Sequence, residues 1–283
     1  EITIYDIPVD SITVENKKVS LTRGETFTNS YTINPSDTTD KGTVTYSSSN
    51  EEVATVDQTG KVTALKPGKT TITIQSTERK VSTTYTVDVS NPITVEISGS
   101  KDASISNKYK DDILNALPEK TKELINTDAV DVVISIESAS IEDEETLNTA
   151  HKLLEQVKST KDYQLGQLFD INLTVKVLKD GQVVSQDTIS ELNNKIVFAL
   201  QLPKELINTN SNIKRTYKVV RIHENGQTVE EITNVQLSDD GTSLLIPSDK
   251  YSLYAVYYQD TVVENKTEQV KPSTTESVKN DTK

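Results

Sequence analysis

Apolar residues alternate with polar ones over most of this 283-residue chain, and turn-forming residues interrupt the alternation every few positions. Within residues 44–74 the pattern predicts short strands separated by a serine-rich turn, by Gly60 and by Pro67-Gly68. Glycine permits a positive φ angle in such turns, and proline fixes its own φ. Short strands at this spacing are typical of a β-sandwich.

These turns and strands also carry a resemblance to a known family. The motifs are Ile12-Thr13-Val14, Gly24-Glu25-Thr26, Asn34-Pro35-Ser36-Asp37, Val53-Ala54-Thr55-Val56-Asp57 and Gly60-Lys61-Val62-Thr63-Ala64-Leu65-Lys66-Pro67-Gly68. Together they make residues 10–89 similar to a bacterial immunoglobulin-like domain of group 2. Tyr46 departs from the pattern, because many members have tryptophan there. The resemblance implies an extracellular spacer or adhesin module, and it implies no catalytic residues.

After Ser90-Asn91-Pro92, which we interpret as a linker, the period of the apolar residues changes. Residues 107–125 are predicted to form two short helices joined at Pro118. A third helix is predicted to begin at the capping box Ser140-Ile141-Glu142-Asp143 and to end near Lys158 and Lys161. Its apolar stripe would contain Leu147, Ala150, His151, Leu154 and Val157.

Beyond this helix the apolar residues return to a period of two up to about residue 260. Hairpin signals occur at Lys179-Asp180-Gly181, Glu224-Asn225-Gly226 and Asp239-Asp240-Gly241. The chain is therefore predicted to be mostly β. Residues 1–91 would form an immunoglobulin-like β-sandwich with an N-terminal lead-in strand. Residues 92–260 would form an α+β domain of antiparallel sheets with two or three helices, and residues 261–283 a disordered linker or tail.

The C-terminal part carries a second resemblance, which covers residues 214–260. Its motifs are Tyr217-Lys218-Val219-Val220-Arg221-Ile222-His223, Asp240-Gly241 and Ser248-Asp249-Lys250-Tyr251-Ser252-Leu253-Tyr254-Ala255. They are similar to a β module that recurs at the C-terminal end of surface proteins and large secreted glycosidases of Gram-positive bacteria. The resemblance implies no particular activity.

Composition and charge exclude some kinds of chemistry and disfavour some kinds of binding partner. The chain has no cysteine, which excludes disulfides, thiolate catalysis and cysteine-ligated zinc. Its net charge of −13 is concentrated in residues 92–260, and this disfavours nucleic acid and anionic lipid. No apolar run is long enough to span a membrane. The resemblance of residues 10–89 implies an extracellular protein, at the bacterial cell surface or secreted, and the absence of cysteine fits that location. We expect a monomer that does not insert this part into a membrane.

Few residues suggest catalysis or metal binding. His151 and His223 are expected to be structural, and adjacent carboxylates point to opposite faces of a strand. The Ser-centred motif of α/β-hydrolases is absent. The oxygen-rich loop of Asn34, Asp37 and Asp40 does not have the spacing of a calcium-binding loop. No catalytic residue, metal ligand or cofactor is therefore predicted.

Tyrosine provides the candidate binding residues, which are Tyr251, Tyr254, Tyr257 and Tyr258. On a strand, Tyr254 and Tyr258 would share one face and Tyr257 would lie on the other, so at least one ring is expected near solvent. An exposed aromatic ring can stack on a sugar or anchor a protein partner. The alternative, favoured for a domain without tryptophan, is that the rings fill the core and its rim.

Three hypotheses about function follow. The first is a non-catalytic, extracellular spacer or adhesion module of a larger bacterial cell-surface protein, with a host or cell-surface glycan or protein as its partner. The second makes residues 92–260 a carbohydrate- or mucin-binding accessory region of a secreted glycosidase. The third, an enzyme in its own right, is the weakest because no nucleophile, metal site or acid-base pair can be identified.

Overall fold

The computed structural model describes residues 5–40, 42–96, 102–141, 143–155, 157–223 and 228–263. The fold is mostly β, with an immunoglobulin-like N-terminal part and helices confined to the segment after residue 92. This confirms the predicted fold class.

The N-terminal part is a small sandwich of short strands. A sheet of order β2-β9-β8-β5 faces a sheet of order β3-β7-β6, and β1 pairs separately with β4. The strands are β1 Ser11–Val14, β2 Lys18–Thr22, β3 Thr26–Thr28, β4 Tyr31–Asn34, β5 Val44–Ser48, β6 Ala54–Val56, β7 Lys61–Ala64, β8 Gly68–Ser76 and β9 Ser82–Ser90. All pairs are antiparallel except β2 with β9.

The alternation along these strands produces the core, since Val62, Ile72 and Val87 are fully buried between the sheets. Gly60 closes the turn before β7 with a φ of +82°. A Cβ atom there would lie 2.7 Å from the ring of Tyr46, so both the backbone angle and the close ring require glycine. The strands and turns predicted for residues 44–74 are thus confirmed.

Residues 5–10 have no regular secondary structure, in contrast to the predicted lead-in strand; residues 1–4 lie outside the described part. The segment is instead held by side chains of the 38–40 loop. The Val9 amide donates to Asp40 Oδ2 at 2.9 Å. Arg79 forms ion pairs with both Asp40 and Asp6, at 3.2 Å and 2.6 Å. The Val9 amide and the Ile7 amide thus donate to side-chain oxygens rather than to a neighbouring strand.

The segment after residue 92 has a second core between two further sheets. Over the described residues, one sheet has the order β10-β12-β13-β20-β16-β17, with β14 also paired to β13, and the other has the order β11-β15-β19-β18. The strands are β10 Ile93–Glu96, β11 Ala103–Ile105, β12 Asp131–Ser140, β13 Gln164–Lys179, β14 Gln182–Ile189, β15 Glu191–Gln201, β16 Ile213–His223, β17 Thr228–Ile232, β18 Gln236–Leu237, β19 Ser243–Lys250 and β20 Leu253–Val262.

Three α-helices lie within the described residues, and they occupy two different places. Helices α1 Lys110–Asn115 and α2 Glu119–Thr127 meet at Pro118, as predicted, and pack against the core between the two sheets. Helix α3 Glu144–Leu154 instead covers the outer face of the larger sheet, with Ala150 and Leu154 buried against it. The sheets are antiparallel as predicted except for the pair of β10 with β12, which is parallel, and α3 forms an additional outer layer.

Helix α3 differs from its prediction at both ends. Asp143 is its N-cap and accepts a hydrogen bond from the Thr146 amide, while Glu142 of the expected capping box lies outside the described residues. The helix ends at Leu154, and a 3₁₀ turn, Lys158–Thr160, follows where the prediction continued the helix. His151 is exposed rather than buried in the stripe.

Two of the three predicted hairpin turns lie within the described residues. Asp180 and Gly181 have φ angles of +51° and +76°, as a two-residue turn between β13 and β14 requires. Gly241 also has a positive φ before β19. The turn at Glu224-Asn225-Gly226 lies outside the described residues, although β16 and β17 on either side of it pair antiparallel.

Candidate functional site

Three of the four candidate tyrosines are buried, and two of them, Tyr251 and Tyr254, lie in the core between the two sheets. Tyr254 is fully buried, and its ring packs edge-on against Phe198 with centroids 5.6 Å apart. Its hydroxyl donates to Ser248 Oγ at 2.7 Å and contacts the Lys250 carbonyl. Tyr251 is also buried against Phe198. Neither ring presents a face to solvent.

Tyr258 is partly exposed but is engaged by its neighbours. Its hydroxyl donates to Gln164 Oε1 at 2.7 Å. The guanidinium of Arg215 lies 4.3 Å from the centroid of the ring, and Asp260 holds that guanidinium through two contacts of 2.7 Å. One face of Tyr258 is thus covered by a fixed cation, which leaves little room for stacking on that side.

Tyr257 lies on the opposite face of β20, as the alternation predicts, and faces a cleft. The cleft has a volume of about 650 Å³ and lies between the C-terminal end of α3 and the outer face of the larger sheet. Its floor is formed by apolar and aromatic side chains: Leu154, Val157, Tyr163, Leu165 and Tyr257. Burial raises the pKa of Tyr257 above its ordinary value.

The rim of the cleft is polar. His151, Glu155 and Lys161 line it and are exposed. These three side chains offer an imidazole, a carboxylate and an ammonium group, so hydrogen-bond donors and acceptors stand above an apolar floor. The four tyrosines therefore do not form one platform. Their ligand-binding role stays a prediction, and Tyr257 is the member that reaches a cleft.

Tyr163, which the sequence did not single out, also lines this cleft and contacts two neighbouring side chains. Lys218 Nζ lies 5.1 Å from the centroid of its ring, and its hydroxyl is 3.4 Å from Thr216 Oγ1. Lys218 is itself fixed, because it donates to the Ser159 carbonyl at 2.9 Å and pairs with Glu231 at 3.2 Å. A hydrogen bond from Ser159, followed by Lys218, lowers the pKa of Glu231 and keeps it ionised.

The other polar residues considered from the sequence are occupied structurally or lie apart. Glu144 and Glu145 are in the first turn of α3, where the helix dipole favours them. Glu230 pairs with Arg221, a buried cation that is 3% exposed and also contacts Asp249. The side chain of His223 lies outside the described part of the structure. Among the described residues, no three or more histidine, cysteine, aspartate or glutamate side chains are placed to hold a metal ion.

Comparison with protein families identifies the N-terminal part. Residues 8–87 match the family model of the bacterial Ig-like domain (group 2). This segment is a group 2 bacterial Ig-like domain. The match agrees with the resemblance drawn over residues 10–89 and confirms it, whereas the resemblance of residues 214–260 to a β module stays a prediction.

Comparison with other proteins adds little to this. No curated protein matches the chain. Among solved structures, it is similar to the surface layer protein SbsC, domains 1–6, at 15% identity and a TM-score of 0.27, covering 96% of this chain and 27% of that one. It is also similar to human protocadherin-24 EC1-2 at 14% identity and a TM-score of 0.25, covering 64% and 96%. The chain thus spans about a quarter of that SbsC structure, and TM-scores below 0.5 do not establish a shared fold.

The bacterial Ig-like domain is joined directly to the segment that follows it. Only Asn91 and Pro92 lie between β9 and β10. Asn91 is 4% exposed, and its amide nitrogen donates to the carbonyls of Ile125 and Asp128, each at 2.8 Å. These carbonyls lie at the C-terminal end of α2, where the last carbonyl groups of a helix lack partners within it. Asn91 therefore caps α2.

Arg23 of the Ig-like domain completes the junction. It lies in the turn after β2, and its Nε donates to Asn91 Oδ1 at 3.1 Å. Its Nη2 donates to the Val130 carbonyl at 3.2 Å and forms an ion pair with Asp131 at the start of β12. The Val130 amide in turn donates to Asn91 Oδ1 at 3.3 Å. We call Arg23, Asn91, Val130 and Asp131 the junction cluster.

None of the helices within the described ranges has both the length and the hydropathy needed to cross a bilayer.

Proposed function

We propose that this chain is a non-catalytic, extracellular spacer and adhesion module of a larger bacterial cell-surface protein. The junction cluster is the observation that carries the proposal. A spacer must fix the relative orientation of the domains that it joins. Neighbouring domains move relative to each other unless their interface holds them. A linker of two residues with a buried, fully bonded asparagine supplies such a hold.

The proposal includes a division of the chain that the two separate buried cores support. Residues 1–91 form the Ig-like domain, residues 92–260 form the α+β domain, and residues 261–283 act as a linker or tail. The partner is a glycan or protein of a host or of a cell surface, and the chain acts as a monomer. A net charge of −13 supports a partner other than nucleic acid.

A second function is favoured by one specific observation. The cleft beside Tyr257 combines an aromatic floor with a polar rim, which suits a carbohydrate-binding accessory region of a secreted glycosidase. In that case the Ig-like domain would separate the accessory region from a catalytic domain elsewhere. In both functions the Ig-like domain acts as a spacer. They differ in the larger protein, which is a cell-surface protein in the first and a secreted glycosidase in the second.

Measuring the distance between the two domains tests the spacer role. Because the chain has no cysteine, spin labels can be placed only where cysteines are introduced. Lys61→Cys on β7 and Lys195→Cys on β15 are suitable, since both lysines are exposed. Double electron–electron resonance should give a single narrow distance distribution. Asn91→Ala in the labelled protein should broaden it, whereas Asn193→Ala, at an exposed position of β15, should not.

A broad distance distribution in the labelled protein without further substitution would overturn the proposal, because a flexible junction does not fix the relative orientation of the two domains. An equally narrow distribution after Asn91→Ala would show that the junction cluster does not fix the angle.

A further inference from the structure

We propose that the cleft between α3 and β20 binds a neutral pyranose ring of a glycan, stacked on Tyr163. This inference rests on the proposed function, since it names the ligand that the adhesion module would hold. The volume of about 650 Å³ falls within the range of small-molecule sites in proteins.

The first argument is that the platform is preorganised. Lys218 lies over one face of the Tyr163 ring and is fixed by two further contacts, and the Tyr163 hydroxyl lies near Thr216. The face that would stack on the sugar is therefore the opposite one. Tyr257 is 6% exposed, so it lies beneath the cleft and supports the floor, and Tyr163 is the ring that offers a face. An aromatic ring that is already fixed loses little conformational entropy when a ligand stacks on it. The surface is thus suited to a flat apolar face.

The second argument is the pairing of this floor with the rim. A pyranose has C–H groups on its faces and hydroxyl groups around its edge. Leu154 and Leu165 extend the apolar floor, while Glu155 accepts hydrogen bonds from hydroxyl groups and Lys161 donates them. The imidazole of His151 can do either, depending on its tautomer. Each part of the sugar therefore meets a group of matching chemistry.

Other ligands fit the same residues less well. An apolar side chain of a partner would use the floor and leave the exposed carboxylate and ammonium of the rim unused. An anionic ligand would meet Glu155 and a segment that carries most of the negative charge of the chain. A metal ion would find a single carboxylate at this rim.

The test uses the full chain and a panel of neutral sugars: glucose, galactose, mannose, N-acetylglucosamine and their β-linked disaccharides. Binding is followed by ¹⁵N chemical-shift changes and by saturation-transfer NMR. We expect at least one sugar to bind, with shift changes at the amides around the cleft. Tyr163→Ala should weaken that binding roughly tenfold, the equivalent of about 1.4 kcal/mol. Tyr163→Phe should keep most of it, because the stacking ring remains.

The matched control is Tyr5→Ala, which removes a tyrosine that is 76% exposed on the Ig-like domain and should leave binding unchanged. The inference is overturned if no sugar of the panel binds at about 20 mM, a concentration high enough to detect a Kd in the millimolar range. It is also overturned if binding is unaffected by Tyr163→Ala in a folded variant, or if an apolar peptide binds in the cleft and the sugars do not. The distance measurement between the domains does not depend on sugar, so a failure here leaves the spacer proposal standing and testable.

Discussion

Replacing Asn91 with alanine is the most direct test of the junction cluster. The substitution removes an amide that donates to the Ile125 and Asp128 carbonyls and accepts from Arg23 and from the Val130 amide. Because Asn91 is buried, its partners cannot simply turn to bulk water. The end of α2, the start of β12 and the Ig-like domain would all lose a shared contact.

The size of the effect follows from these contacts. A typical hydrogen bond within a protein contributes about 1 kcal/mol net, and a buried group left without a partner costs about 1–3 kcal/mol. Three of the four contacts involve backbone groups of the α+β domain, so we expect the free energy of unfolding of that domain to fall by about 3 kcal/mol. For a domain of this size that corresponds to a lower Tm by about 6–12 °C.

Differential scanning calorimetry is the suitable assay, because the chain has no tryptophan to report on folding by fluorescence. Hydrogen exchange at the Val130 amide, followed by mass spectrometry, gives the local effect. The control Asn193→Ala should leave the Tm within about 1 °C, as expected for an exposed position.

Asn91→Asp sharpens the test. It keeps an acceptor for Arg23 but loses the amide donors to the two carbonyls, so it should also be less stable than the unsubstituted chain. A Tm within about 2 °C for Asn91→Ala, together with unchanged exchange at Val130, would refute the reasoning.

Three further predictions concern single side chains. Gly60→Ala should lower the free energy of unfolding by about 2 kcal/mol more than Gly24→Ala, since both have positive φ but only at Gly60 would the added Cβ meet a ring, that of Tyr46; chemical denaturation measures the difference. Tyr254→Phe should cost about 1–3 kcal/mol in the same assay, because its buried hydroxyl is bonded, and no loss would contradict this. The Val9 amide and Arg79 lower the pKa of Asp40, so the contacts that hold residues 5–10 should persist above about pH 4 and weaken as pH falls through the lowered pKa. The protection factor of the Val9 amide, which is its exchange rate relative to the intrinsic rate at the same pH, should therefore fall as the solution is acidified below about pH 4, and an unchanged factor would contradict this. Arg79→Ala should move this loss to higher pH.

Much of the Ig-like domain could be predicted because its signals are local. Gly60 and Pro67-Gly68 mark turns through their own backbone preferences, and the alternation between them assigns each residue to a face. The same holds for Asp180 and Gly181 in the second domain. Helix α3 was predicted too long because Val157 keeps the apolar period, although the helix had ended at Leu154.

The tyrosines of β20 show where such reasoning stops. Alternation placed Tyr254 and Tyr257 on opposite faces, and that is confirmed. It could not say that both faces of β20 are covered, one by the second sheet and one by α3. Burial depends on what packs against a face, and that information is not in the strand itself.

The strand faces, the tight turns and the family of residues 8–87 follow from the sequence alone, because each depends on the preferences of neighbouring residues. The junction cluster and the cleft become visible only in the folded chain. Arg23 meets Val130 across 107 positions, and Lys218 meets the ring of Tyr163 from a different strand. Contacts between distant segments depend on how sheets and helices pack, and no local pattern of residues specifies that packing.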